Sequence, residues 1–113
     1  MKQLIQIAKV FSDENRVRII ALLMRDGPIC VCEICDTLQL LQPLVSRHLR
    51  QIKAAGLIVS EKKGKWMVYS LAEESGELSC WFDAVRKIVP SLPALVVCSR
   101  YAKETEKLHL LKE

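Results

Sequence analysis

Three cysteines stand within six residues, Cys30-Val31-Cys32-Glu33-Ile34-Cys35, immediately before a stretch that reads as helix, tight turn and helix. No other feature of the chain restricts its fold as strongly. Cys32 and Cys35 are three apart and share one helix face, whereas Cys30 lies about 200° from Cys32 on an ideal helix. Three sulfurs converge on one ion only if Cys30 sits before the helix or the first turn deforms. Ion binding and regular helix geometry therefore compete, and the competing helix abuts the one that follows.

The donor chemistry is narrow. Thiolates near a helix N-terminus are favoured electrostatically, which keeps them reactive at neutral pH. A trigonal all-sulfur set without histidine suits a soft, pyramidal ion such as As(III) or Sb(III), whereas zinc wants a fourth ligand. Two blander readings stay open: three small residues filling a core, or a structural zinc site completed by Cys80 or Cys98. Five cysteines, an odd number, follow an N-terminus (Met1-Lys2-Gln3-Leu4-Ile5-Gln6) without the apolar block of a signal peptide. Reduced thiols and a cytoplasmic location are expected. No apolar run reaches the ~18 residues of a membrane span, so no membrane association is expected.

Periodicity places the remaining elements. Leu4, Ile5, Ile7, Ala8 and Val10 give a short first helix with a broad apolar face, closed at Phe11. Ser12 or Asp13 caps a second helix, Glu14 to about Arg25, expected to bury Val17, Ile20, Ala21 and Met24 and to hold Arg16 and Arg18 near water. Gly27-Pro28 ends it. A third helix spans about Val31–Leu38, and Gln39-Leu40-Leu41 is only long enough for a turn. A fourth starts around Pro43 and stops at Gly56. It turns Val45, Leu49 and Ile52 inward and Pro43, Ser46, Arg47, Arg50 and Ala54 outward. Leu57–Glu61 and Trp66–Leu71 flank Lys62-Lys63-Gly64-Lys65, a hairpin with three lysines at its tip. Helical spacing resumes over Ser75–Val89, and a further stretch from Ala94 to Leu111 is first apolar, then charged.

The expected fold class is mainly α with a small β-hairpin: one winged helix-turn-helix domain over 1–113. Residues 31–56 form the helix-turn-helix and 57–71 the wing. Residues 1–11 and 75–113 carry more apolar surface than so small a domain buries, and are assigned to a homodimer interface that includes Trp81 and Phe82. The net charge of +4 is concentrated: Gln42 to Lys65 holds six basic residues against the single acid Glu61. That segment is the expected nucleic-acid footprint. No nucleophile–base pair, phosphate loop or carboxylate dyad is present, so an enzyme is not expected.

Taken together, Cys-Val-Cys-Glu-Ile-Cys-Asp, the Gln42-Pro43-Leu44-Val45-Ser46-Arg47-His48-Leu49 run, Ala55-Gly56-Leu57 and Gly64-Lys65-Trp66-Met67-Val68-Tyr69-Ser70-Leu71 resemble the ArsR/SmtB family of metal-sensing repressors. Over about residues 1–90 the likeness is to its arsenical-resistance branch. The resemblance implies a homodimeric repressor on a palindromic DNA operator, released when As(III) or Sb(III) binds Cys30, Cys32 and Cys35. The genes controlled would be those of arsenical efflux or arsenate reduction. Gln42, Ser46 and Arg47 match positions that approach bases or phosphates in the family. His48, Arg50 and the wing lysines Lys62, Lys63 and Lys65 complete the expected DNA-facing set, with His48 read as either packing or phosphate-contacting. The zinc-sensing branch uses Asp and His ligands on a C-terminal helix; the only histidines here are His48 and His109, so that site is missing. The alternatives are a sensor of cadmium or lead that recruits Cys80 or Cys98, and a thiol redox-responsive regulator using Cys32-x-x-Cys35. No strand–helix thioredoxin pattern surrounds the second.

Overall fold

A computed structural model describes residues 2–97. Its helices are α1 (Lys2–Val10), α2 (Glu14–Asp26), α3 (Val31–Leu38), α4 (Gln42–Ala54) and α5 (Ser79–Arg86). The strands are β1 (Ile29–Cys30), β2 (Ile58–Lys63) and β3 (Trp66–Leu71), and a short 3₁₀ turn covers Val89–Ser91. The fold is a winged helix: α3 and α4 form the helix-turn-helix, and β2–β3 form the wing. The sheet has three antiparallel strands in the order β1-β3-β2. The third strand escaped the sequence reading because Ile29-Cys30 is two residues long, too short to show an alternation.

α2 is the hub. Ile19, Ile20, Ala21, Leu22 and Leu23 are all buried, five in succession. A helix buried nearly all round has lost its amphipathic stripe, which corrects the single-face reading: Val17 and Met24 are only partly covered. Around α2 pack Ile34 and Leu38 of α3, Val45, Leu49 and Ile52 of α4, and Phe82 and Val85 of α5. Phe82 thus belongs to this chain's own core rather than to a dimer interface. Trp81 stacks on Phe11 with ring centroids 4.8 Å apart. The α5 helix is also shorter than the expected Ser75–Val89. A turn at residues 76–78 precedes it, and Pro90 disfavours helical backbone at the residue before it.

Beyond the 3₁₀ turn the chain is strapped to the hub. The Arg25 guanidinium donates to the carbonyls of Leu92 (3.3 Å) and Pro93 (2.7 Å), and the Val96 N–H donates to Thr37 Oγ1 at 2.8 Å. Residues 94–97 are therefore not helical. Cys98, His109 and the rest of the expected C-terminal helix lie outside the described residues.

The polar anchor of the fold is Asp13. Its backbone is extended, and its carboxylate accepts the N–H groups of Asn15 (2.8 Å) and Arg16 (3.2 Å), capping α2. Partial burial works against its charge. The Arg16 amide and guanidinium, the Asn15 amide and His48 outweigh burial and hold the carboxyl below its ordinary value of 3.8. A lowered carboxyl pKa contributes stability that is complete above about pH 4 and is lost as pH falls through the lowered value. Asp13→Ala should cost about 1–2 kcal/mol at neutral pH. In urea melts the gap between variant and parent should narrow as pH falls below about 4.

Candidate functional site

The three thiols sit at a junction. β1 pairs with β3 through Ile29↔Tyr69 and Cys30↔Val68, so Cys30 belongs to the wing sheet. The same residue, with extended backbone, is the N-cap of α3. Its N–H donates to Glu33 Oε1 at 3.1 Å, and the Cys30 sulfur faces the Glu33 N–H in a capping box. Glu33, though a carboxylate, is buried at 4 % exposure, which this pairing makes tolerable. Cys30 itself is 1 % exposed.

Cys32 and Cys35, one helical turn apart, are both half-buried on α3. The Cys32 thiol points to Asp36 Oδ2 at 3.7 Å. Burial, with the Asp36 charge, pushes the Cys35 thiol above its ordinary pKa. That corrects the expectation of a uniformly activated set, because the helix N-terminus does not offset burial this far along. Cys30 does stand before the helix, as convergence requires, but its sulfur is turned into the capping box. Among the described residues no three His, Cys, Asp or Glu side chains already form an ion cage. Cys80 is exposed on α5.

From Cys35 the connection runs to α4. The Cys35 carbonyl accepts the N–H groups of Gln39 and Leu40, the latter at 3.0 Å. These bonds close the turn between α3 and α4. Gln39 occupies the left-handed region at φ 58°, a conformation that costs a non-glycine residue about 1–2 kcal/mol. Its side chain offsets part of that by donating to the Asp36 carbonyl at 2.8 Å. Nothing in the residue types Gln-Leu-Leu announces this turn, so the sequence showed only its length.

α4 exposes Gln42, Pro43, Arg47 and Arg50 and half-exposes Ser46. Lys62, Lys63 and Lys65 are exposed on the wing. Lys62 and Lys63 end β2, and the turn itself is Gly64-Lys65 with Gly64 at φ 61°, where only glycine is unstrained. Lys53, not singled out from the sequence, ties the end of α4 to the wing through Ser60 Oγ at 2.6 Å.

His48 departs from the outward set. Its side chain is 7 % exposed and faces Asp13 (Nε2 to Oδ1, 4.0 Å) and Arg16 (Nδ1, 3.4 Å). It turns inward because it follows Val45 by three positions on the buried face of α4. Arg16, expected near water, bridges the helices: it donates to the carbonyls of Lys9 and Val10 and to Gln51 Oε1. The latch Asp13–Arg16–His48–Gln51 thus fixes the angle at which α4 leaves α2.

The comparisons with known proteins bear on this arrangement. Residues 13–60, the span from the latch to the wing, match the model of the family described as bacterial regulatory protein, arsR family. The arsenic resistance transcriptional regulator ArsR2 of Pseudomonas putida is 37 % identical over 82 residues, covering 73 % of this chain and 69 % of that protein. The chain belongs to the arsR family. ArsR1 of the same organism, also an arsenic resistance transcriptional regulator, is 40 % identical over 81 residues and 72 % of this chain; the match spans 61 % of that relative's length. In fold, the chain is similar to the homodimeric winged helix-turn-helix DNA-binding domain of a possible ArsR-family transcriptional regulator from Mycobacterium bovis. There the TM-score is 0.65 at 21 % identity, covering 79 % of this chain and 80 % of that one.

Two outcomes follow. Burial lowers the His48 pKa from 6.5; Asp13 opposes this, while Arg16 and Arg47 reinforce it. The folded chain therefore binds fewer protons at this site than the unfolded one. Its contribution is complete above about pH 6.5 and shrinks as pH falls toward the lowered value. His48→Gln should flatten the pH dependence of urea midpoints between pH 7 and about 5.5. Separately, iodoacetamide on the native reduced protein should label Cys32 and Cys80 before Cys30. Cys30 should lag by roughly tenfold or more, because alkylation there requires local opening. Peptide mapping reads the order.

Proposed function

We propose that this protein is a transcriptional repressor that binds operator DNA as a homodimer and releases it when As(III) or Sb(III) binds Cys30, Cys32 and Cys35. One observation carries the reading: the three-cysteine segment is joined to both elements that meet DNA in a winged helix. Cys30 is paired to the wing at Val68, and the Cys35 carbonyl closes the turn into α4. The arsenic-resistance roles of the two Pseudomonas putida relatives support the choice of ion.

The chemistry of the donor set fits the ion. Three thiolates would supply soft, trigonal coordination: each sulfur–ion bond would replace one hydroxide of the hydrated ion, which leaves with the thiol proton as water, and the binding energy of that exchange would drive the switch. Cys32 and Cys35 hold the ion from α3, and Cys30 joins them by leaving the capping box. Glu33 then loses the N–H partner it holds in the buried junction, and β1 loosens from β3. The wing and the α3–α4 turn are displaced together, so one binding event acts on both DNA-contacting elements.

On the DNA side, α4 presents Gln42, Ser46, Arg47 and Arg50 to the major groove, while Lys62, Lys63 and Lys65 meet backbone phosphates. An arginine–guanine pair contributes ~1–3 kcal/mol of discrimination, and the wing lysines add salt-dependent affinity. Exposed Leu4 and Ile5 on α1, with residues 75–113, form the dimer interface, so that 1–113 acts as one domain. A symmetric dimer places its recognition helices on a palindrome with half-sites ~34 Å apart. No described helix is long and apolar enough to cross a membrane, and the proposed site of action is the cytoplasm.

The deciding experiment is fluorescence anisotropy of a labelled fragment from upstream of the protein's own coding region, with reduced protein, titrated with arsenite and separately with cadmium and with peroxide. Arsenite should release the DNA, and Cys32→Ser should raise the arsenite needed by at least about tenfold. Release by cadmium alone, or by peroxide alone, would replace the proposed inducer.

A further inference from the structure

Leu41 breaks two local rules at once. It is the N-cap of α4, with extended backbone and no side-chain hydrogen bond to the helix, a position where serine, aspartate or asparagine stabilises. It is also 78 % exposed, the most exposed of the large hydrophobic side chains among the described residues. The others lie on α1, on the wing and in the segment after the 3₁₀ turn. Leu41 is the only one of them in the helix-turn-helix. Its backbone does ordinary work, since its carbonyl accepts the Val45 N–H at 3.1 Å. Only the side chain is unexplained.

The surroundings identify a partner for it. Leu41 stands at the leading end of α4 beside exposed Gln42 and Pro43. The first residues of a recognition helix are those that reach base edges. Of the groups a major groove displays, the one that rewards an aliphatic side chain is the thymine C5-methyl. We propose that Leu41 is a specificity-determining residue that packs on a thymine methyl in each half-site, with cap stability given up for sequence discrimination. The proposal rests on the DNA-binding reading above.

The test separates the two. Duplexes are selected from a randomised library with the full reduced chain, and each thymine of the enriched site is then replaced singly by deoxyuridine, which lacks only the methyl. At one thymine per half-site the parent protein should lose about fourfold in affinity, the value of one buried methyl-sized group. Leu41→Met should keep that discrimination. Leu41→Ser should bind thymine and deoxyuridine sites alike, with an unchanged or raised Tm showing that its fold is intact. Enrichment of a site at which no thymine-to-deoxyuridine change matters, or discrimination that survives in Leu41→Ser, overturns the role of Leu41 and leaves DNA reading standing. A library that yields no enriched site overturns DNA reading itself, and the proposal with it.

Discussion

The structure turns on Cys30, where one residue is asked to serve a sheet and a helix. As the end of β1 it holds a two-residue ladder to β3; as the N-cap of α3 it closes a box with Glu33. Both duties are met by the backbone and by a sulfur turned inward, so the residue is sealed in the core. Pairing a wing strand with a helix N-terminus through a single residue makes the two move as one body. Few other residue types suit the place: the site needs a small, largely apolar side chain that still accepts a weak hydrogen bond.

A second constraint sets the attitude of α4. The helix is held at its start by the turn that the Cys35 carbonyl closes, and in its middle by His48 and Gln51 against Arg16. Arg16 reaches them because Asp13 caps the helix that carries it. Two polar attachments thus hold α4, one at its start and one among its apolar contacts with the core. One of them begins within the thiol segment and the other does not.

Much of this was legible in the sequence. The helix-turn-helix and wing followed from periodicities of 3.6 and 2 and from Gly64, and the outward face of α4 from the spacing of Val45, Leu49 and Ile52. What escaped has a common physical origin. β1 is too short to carry a pattern, Gln39 takes a left-handed conformation that its type does not advertise, and α2 is buried all round. His48 sits at the edge of an apolar stripe, and its burial is decided by Asp13 and Arg16, more than thirty positions away. The cysteine motif suggested a soft-ion site but not the resting arrangement of its thiols. Sulfur spacing on an ideal helix says that Cys30 stands apart, and only the tertiary pairing says what holds it there.

In the proposed switch, the resting state would set the response. A two-residue ladder and a capping box involve a handful of hydrogen bonds, each with a net contribution of about 0.5–1.5 kcal/mol. Opening the junction therefore costs about 2–4 kcal/mol, small beside the binding energy of a three-thiolate site. That cost is paid from the inducer's affinity, and each 1.4 kcal/mol shifts the half-maximal inducer concentration about tenfold. A looser junction would respond to less ion, but would also leave the wing and α4 misaligned in the absence of inducer, weakening DNA binding. A tighter one would hold the operator at the expense of sensitivity. In that proposal the buried Glu33 carboxylate would set the balance, because its bond to the Cys30 N–H belongs to the closed junction.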